Sequence, residues 1–111
     1  MLEKIVNNLY DEKLTYVLAG NRVEDEKNPT NHDFEVRRTP DSKLLANIHF
    51  QQGAISEDGV NGVLNEDLLV MLIDRVESFQ RSKLKCRENE NALQHLYEAL
   101  FWLNQRHNRK K

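Results

Sequence analysis

Cysteine is almost absent: Cys86 stands alone among 111 residues. One thiol closes no internal disulfide, which excludes a disulfide-stapled scaffold and a cysteine-rich zinc module and points to a reducing compartment. Apolar runs are short. Leu68 to Ile73 is among the longest, far below the roughly 20 residues that cross a bilayer. The opening Met1, Leu2, Glu3, Lys4 builds no apolar leader core, so neither a membrane span nor a secretory signal is expected. Glycine is scarce as well. Gly20, Gly53, Gly59 and Gly62 form neither a P-loop nor a dinucleotide-binding pattern. Of the serines Ser42, Ser56, Ser78 and Ser82, none sits in a nucleophile elbow.

What is present is charge. Charged residues make up 31% of the chain and hydrophobic ones 39%, with a mean hydropathy of -0.74. A chain of this length forms one domain and buries roughly two-thirds of its unfolded surface, so the core is thin. A thin core in a helical chain suggests that a partner subunit supplies the missing burial. Residues 1 to 60 hold 7 Lys/Arg against 11 Asp/Glu, net -4, and residues 61 to 111 hold 9 against 7, net +2. Arg106, Arg109, Lys110 and Lys111 cluster at the C-terminal end. They complement a helix dipole, and the mildly acidic whole argues against a nucleic-acid binder.

The chain divides into unlike halves within a single domain: residues 1–63 (short helix, strands and loops) and 64–111 (helical hairpin). Leu2, Ile5, Val6, Leu9 and Tyr10 follow helical spacing and predict a short amphipathic helix. Leu14 to Ala19 predicts a strand that stops at Gly20, and Asn21 to Asn31 a solvated loop with the acidic run Glu24, Asp25, Glu26. Phe34 to Arg38 predicts a second strand ended by Pro40. Leu44 to Gln51 predicts a third with clean period-2 alternation. Gly53, Gly59 and Gly62 then mark a turn-rich connection.

Asn65 reads as an N-cap, with Glu66 and Asp67 in the first turn of a helix whose stripe is Leu69, Leu72, Ile73, Val76 and Phe79. After the basic link Arg81 to Lys85, a second helix starts near Cys86 and carries Ala92, Leu93, Leu96, Leu100 and Leu103. The fold class is therefore α+β: a small N-terminal antiparallel sheet followed by a long antiparallel helical hairpin. Two helices cannot enclose their own apolar stripes, so a homo-oligomer is expected.

Catalytic constellations are weak. Cys86 beside Lys83, Lys85 and Arg87 reads as a small buried thiol at a helix start. His95 and Glu98 with Asp74 and Glu77 faintly resemble a bundle metal site, but they lie off the apolar stripes and no metal is expected. The polar residues around the hairpin turn are more informative. Arg87 lies in a first helical turn, where the dipole disfavours a cation, and Asn89 and Asn91 are poor helix formers in the same turn. With Phe79 at the end of the preceding helix they suggest an anion- and base-binding corner.

Two segments, FQQGAISEDGVNGVLNEDLL (Phe50 to Leu69) and FQRSKLKCRENENALQHLYEALFWLNQR (Phe79 to Arg106), together resemble the phage Thoeris anti-defence proteins of the first type. These share a helical-hairpin domain with phage anti-CBASS sponges. The resemblance implies a protein that is not an enzyme, needs no cofactor, and binds and holds cyclic nucleotide immune signals in the cytoplasm of the host bacterium. The signal class is glycocyclic ADP-ribose, and some members also hold CBASS cyclic di- or trinucleotides at separate sites. The family assembles as homodimers, in some cases as hexamers built from dimers. Carried across, its stacking aromatic falls on Phe79, its ligand-binding asparagine on Asn89 and a phosphate-binding arginine on Arg106, with Arg87 and Arg22 as further candidates. Relatives often carry Gly-Pro where this chain has Arg81 to Lys85, and Glu90 and Asn91 replace an Ala-Leu pair.

Spacing bears on that transfer. Asn89 and Arg106 are 17 positions apart, roughly 25 Å along one continuous helix. That exceeds one nucleotide-sized pocket, so a shared site requires Arg106 from a second, antiparallel copy. The alternative reading is a phage helical-hairpin module that binds a protein.

Overall fold

The computed structural model describes residues 2–21 and 30–109. The chain forms two compact units, Met1–Val63 and Leu64–Lys111. Arg22 and the acidic run Glu24 to Glu26 lie outside the described residues.

The first unit is a four-stranded antiparallel sheet in the order β1 (Glu3–Lys4), β2 (Thr15–Gly20), β3 (Asp33–Arg38), β4 (Leu44–His49). Its register sets Val17 opposite Val36 and Val36 opposite Ala46, and Ala19 opposite Phe34 and Phe34 opposite Ile48. Alternate positions share a face, so these six residues form one apolar surface, where Ala19 is buried. Phe50, just beyond β4, packs its ring edge-on against Phe34 at 5.3 Å.

Two expectations fail in this unit. No helix forms over Leu2 to Tyr10. Ile5 N–H instead joins the sheet by donating to Val17 O at 2.9 Å. Asn7 then turns the chain: its side-chain oxygen accepts from Leu9 N–H at 2.9 Å and its carbonyl from Tyr10 N–H at 3.0 Å. Asparagine competes in this way for backbone groups that a helix needs. The apolar spacing goes unused, with Leu9 99% exposed. The alternation expected of β4 is also interrupted, because the register against β3 shifts between Val36 and Arg37, leaving both Leu44 and Leu45 exposed. Such an extra residue bends and twists a strand locally.

The connection after β4 is more ordered than its glycines suggest. It contains the short helix α1 (Ile55–Asp58) and closes on itself. Val63 N–H donates to His49 O, and Gln51 N–H to Val63 O, both at 2.8 Å. The side-chain amide of Asn61 accepts from Gln52 N–H at 2.9 Å and donates to Gln52 O at 2.8 Å. Gln51 reciprocates, accepting from Asn61 N–H and donating to Gly59 O. The QQG and GVNG pieces are thus the two sides of one loop closure.

The second unit is the hairpin, α2 (Asn65–Gln80) and α3 (Arg87–Arg109). Asn65 is its first helical residue and not the cap. Leu64 holds the cap position, and the Asp67 carboxylate reaches back to accept Leu64 N–H at 2.8 Å. The carboxylate satisfies a donor outside the first turn and suits the helix dipole, so an asparagine cap is not required. Ile73 is buried, and Leu69, Val76, Leu93, Leu96, Leu100 and Leu103 are half-buried. Ala92, expected on this stripe, is exposed.

Gly62 yields a test. A Cβ there would lie 2.6 Å from His49 O and from the Phe50 carbonyl carbon and oxygen, all backbone atoms. Gly62→Ala is expected to pry the loop from β4 at a cost of about 1–3 kcal/mol, read as a lower urea midpoint.

Candidate ligand-binding site

The hairpin bend is built around Gln80, the last residue of α2. Its side-chain oxygen accepts Cys86 N–H at 3.1 Å and its amide donates to Cys86 O at 3.0 Å. The same amide lies 3.4 Å from a Glu90 carboxylate oxygen. One side chain thereby replaces the backbone pairing that the chain loses between the helices. Phe79 O accepts both Ser82 N–H at 3.0 Å and the Ser82 hydroxyl at 2.7 Å. Asn89 donates its side-chain amide to Leu84 O at 3.4 Å.

Phe79 in the last turn of α2 and Asn89 in the first turn of α3 thus flank the bend, both half-buried. Arg87 is exposed in the first turn of α3. Cys86 is also exposed, against the expected buried thiol, because its backbone faces Gln80 and no apolar seam reaches this far. Arg75 was not expected at this corner. Its guanidinium carbon lies over the Phe79 ring, 5.1 Å from the centre, within cation–π range. The spacing of four residues on one helix is the signal that would have found it.

Arg106 is not part of this corner. α3 runs unbroken from Arg87 to Arg109, so Arg106 lies roughly 25 Å from Asn89 along the axis. It borders an open depression with Phe101, Trp102, Gln105 and Asn108. Phe101 and Trp102 pack edge to face at 5.2 Å, yet are 53% and 63% exposed. Among the described residues Arg75, Lys83, Lys85, Arg87 and Arg106 form no ion pair. The bend and the far end of α3 thus each combine an aromatic ring with an uncompensated cation. His95 and Glu98, 3.8 Å apart, are both exposed, and Glu77 is taken by the Tyr97 hydroxyl.

The bend can be tested directly. Gln80→Ala removes both bonds to Cys86, and the Cys86 amide is expected to lose its protection from hydrogen exchange. Gln80→Glu keeps the acceptor and should retain most of that protection. The Tyr97 hydroxyl donates to Glu77, which together with partial desolvation and the carboxylate's charge raises its pKa above the usual tyrosine value. A raised value in the folded state gives stability that is present at neutral pH and lost as pH climbs through it. An absorbance titration should show a tyrosine ionising above about 10, a component that Tyr97→Phe removes.

The sequence profile of the Acb2/Tad1 hairpin domain matches residues 43–106, which span the loop closure, the bend and both hairpin helices. The protein Thoeris anti-defense 1 of Bacillus phage SBSphiJ7 is 43% identical over 98 residues. That stretch covers 88% of this chain and 61% of the relative, so the chain spans less than two-thirds of that protein's length. A match over more than half of the chain, centred on the helices that carry Phe79, Asn89 and Arg106, places it: the chain belongs to the Acb2/Tad1 hairpin-domain family.

Proposed function

We propose that the protein is a phage anti-defence sponge that captures a cyclic nucleotide immune signal and releases it chemically unchanged. The observation that supports this reading is the bend itself, closed by Gln80 on Cys86 and by Ser82 on Phe79 O, with Phe79 and Asn89 on its two flanks inside the family-matched segment. The relative's name supplies the defence system, Thoeris; the ligand class we propose, glycocyclic ADP-ribose with CBASS cyclic di- or trinucleotides as further ligands, is the one that the sequence resemblance implies. Phe79 stacks on the adenine, Asn89 bonds a polar edge of base or ribose, and Arg106 pairs with phosphate, assisted by Arg87. Arg22, a further candidate, lies outside the described residues.

Because α3 is straight and unbroken, Arg106 reaches such a ligand only from a second chain running the other way. A two-fold homodimer supplies it and creates two equal pockets, and a hexamer repeats the dimer. Val70, Met71, Leu72, Tyr97, Phe101 and Trp102 are exposed on the hairpin, the apolar surface that a second copy would cover. Enclosure between two chains favours slow dissociation, which is what sequestration requires. Capture uses no cofactor and no turnover. The setting is the host bacterial cytoplasm, where such signals are made.

Calorimetry with glycocyclic ADP-ribose isomers and a panel of cyclic oligonucleotides tests the reading. Submicromolar binding of at least one, with the ligand recovered intact after denaturation, is expected. Arg106→Ala should weaken it by about 1.5–3 kcal/mol, some ten- to hundredfold, and Phe79→Ala comparably. Absence of binding, or consumption of the ligand, overturns the proposal and leaves the exposed Phe101–Trp102 end as the surface of a protein-interaction module.

A further inference from the structure

Arg75 sits one helical turn before Phe79 with its guanidinium over the ring, is exposed, and makes no hydrogen bond or ion pair among the described residues. A cation placed over an aromatic face leaves the five N–H donors at the edge of its plane free. The surroundings do not neutralise it. Arg81, Lys83 and Lys85 in the link and Arg87 at the start of α3 add four cations with no acid among residues 81–87. Glu77 and Glu90 are hydrogen-bonded to the Tyr97 hydroxyl and the Gln80 amide, and no carboxylate among the described residues, Asp74 and Glu88 included, forms an ion pair with Arg75. An unpaired guanidinium fixed against the candidate stacking residue, beside a run of cations, is a site short of an anion.

We infer that Arg75 is a phosphate partner of the bound nucleotide, held ready by the Phe79 ring, an assignment that rests on the sponge reading. The ring restricts the guanidinium before the ligand arrives, so less side-chain freedom is lost on binding. The planar fork matches two oxygens of one phosphate. Phe79 offers its remaining face to the base while Arg75, on the other, offers edge donors to the phosphate beside that base. The bend thereby recognises base and phosphate from one chain, and Arg106 of the second chain completes the charge around a ligand that carries two phosphates.

The test is calorimetry of the full chain with glycocyclic ADP-ribose at low and high salt. Arg75→Ala is expected to weaken binding about ten- to hundredfold and to flatten its salt dependence, with the helical circular dichroism unchanged. Arg75→Lys keeps the charge but loses the fork, and should fall between the two. Lys43→Ala, just before β4 in the sheet unit, should bind as the parent does. An Arg75→Ala chain that binds within twofold of the parent, or more tightly, overturns the assignment; tighter binding would mean that Arg75 merely shields the ring. Should Arg75→Ala lose helicity, Arg75→Lys decides, since it must still bind less well. A parent chain that binds no nucleotide defeats the sponge reading itself, an outcome distinct from a parent that binds and a variant that does so equally.

Discussion

Two antiparallel helices share a single seam, and that geometric limit governs the hairpin. The seam takes in Ile73 fully and Leu69, Val76, Leu93, Leu96 and Leu100 in part. Val70, Met71, Leu72, Tyr97, Phe101 and Trp102 are left exposed. At roughly 25 cal/mol per Å² of apolar surface removed from water, a seam this narrow gives the unit little stability of its own. A short closed bend and a carboxylate-capped start therefore matter more here than they would in a four-helix bundle. The same limit leaves the wide apolar surface that an assembly can use.

The bend shows how this family member resolves a conflict in its own sequence. Arg81 to Lys85 contains neither glycine nor proline, which would set the turn by backbone conformation alone. Here the turn is set by side chains: Gln80 pairs with both backbone groups of Cys86, and Ser82 returns to Phe79 O. Since these partners use backbone atoms of the link, the side chains of Lys83, Lys85 and Arg87 are left free. Structural and electrostatic duties are divided between alternate residues of one short segment.

Much of this was legible beforehand, and the failures have physical causes. The strands at Thr15–Gly20, Asp33–Arg38 and Leu44–His49 announce themselves because β-branched and aromatic residues alternate between turn formers. The hairpin is legible because its period is long and uninterrupted. The N-terminal segment misleads because Leu2, Ile5, Val6 and Leu9 obey helical spacing by coincidence, while Asn7 and the free edge of β2 offer the backbone better partners. The bulge in β4 leaves no mark in composition. Of the candidate site, Phe79, Asn89 and Arg106 come from resemblance and spacing; Arg75 is signalled only by its four-residue spacing from Phe79, and Gln80 emerges only once the bend brings Cys86, six positions on, against it. Pairwise contacts of that kind depend on rotamers, which a linear pattern does not encode.

The continuity of α3 has a consequence for how this protein can change over evolutionary time. Each residue added to or deleted from an α-helix turns everything beyond it by about 100° and slides it by about 1.5 Å. Between Asn89 and Arg106 the interval therefore behaves as a ruler with an angular scale as well as a linear one. Substitutions along its outer side leave the reading unchanged, but a single inserted or lost codon would swing the terminal arginine to another quadrant of the rod. In this lineage the number of residues in that interval should drift far less than their identities.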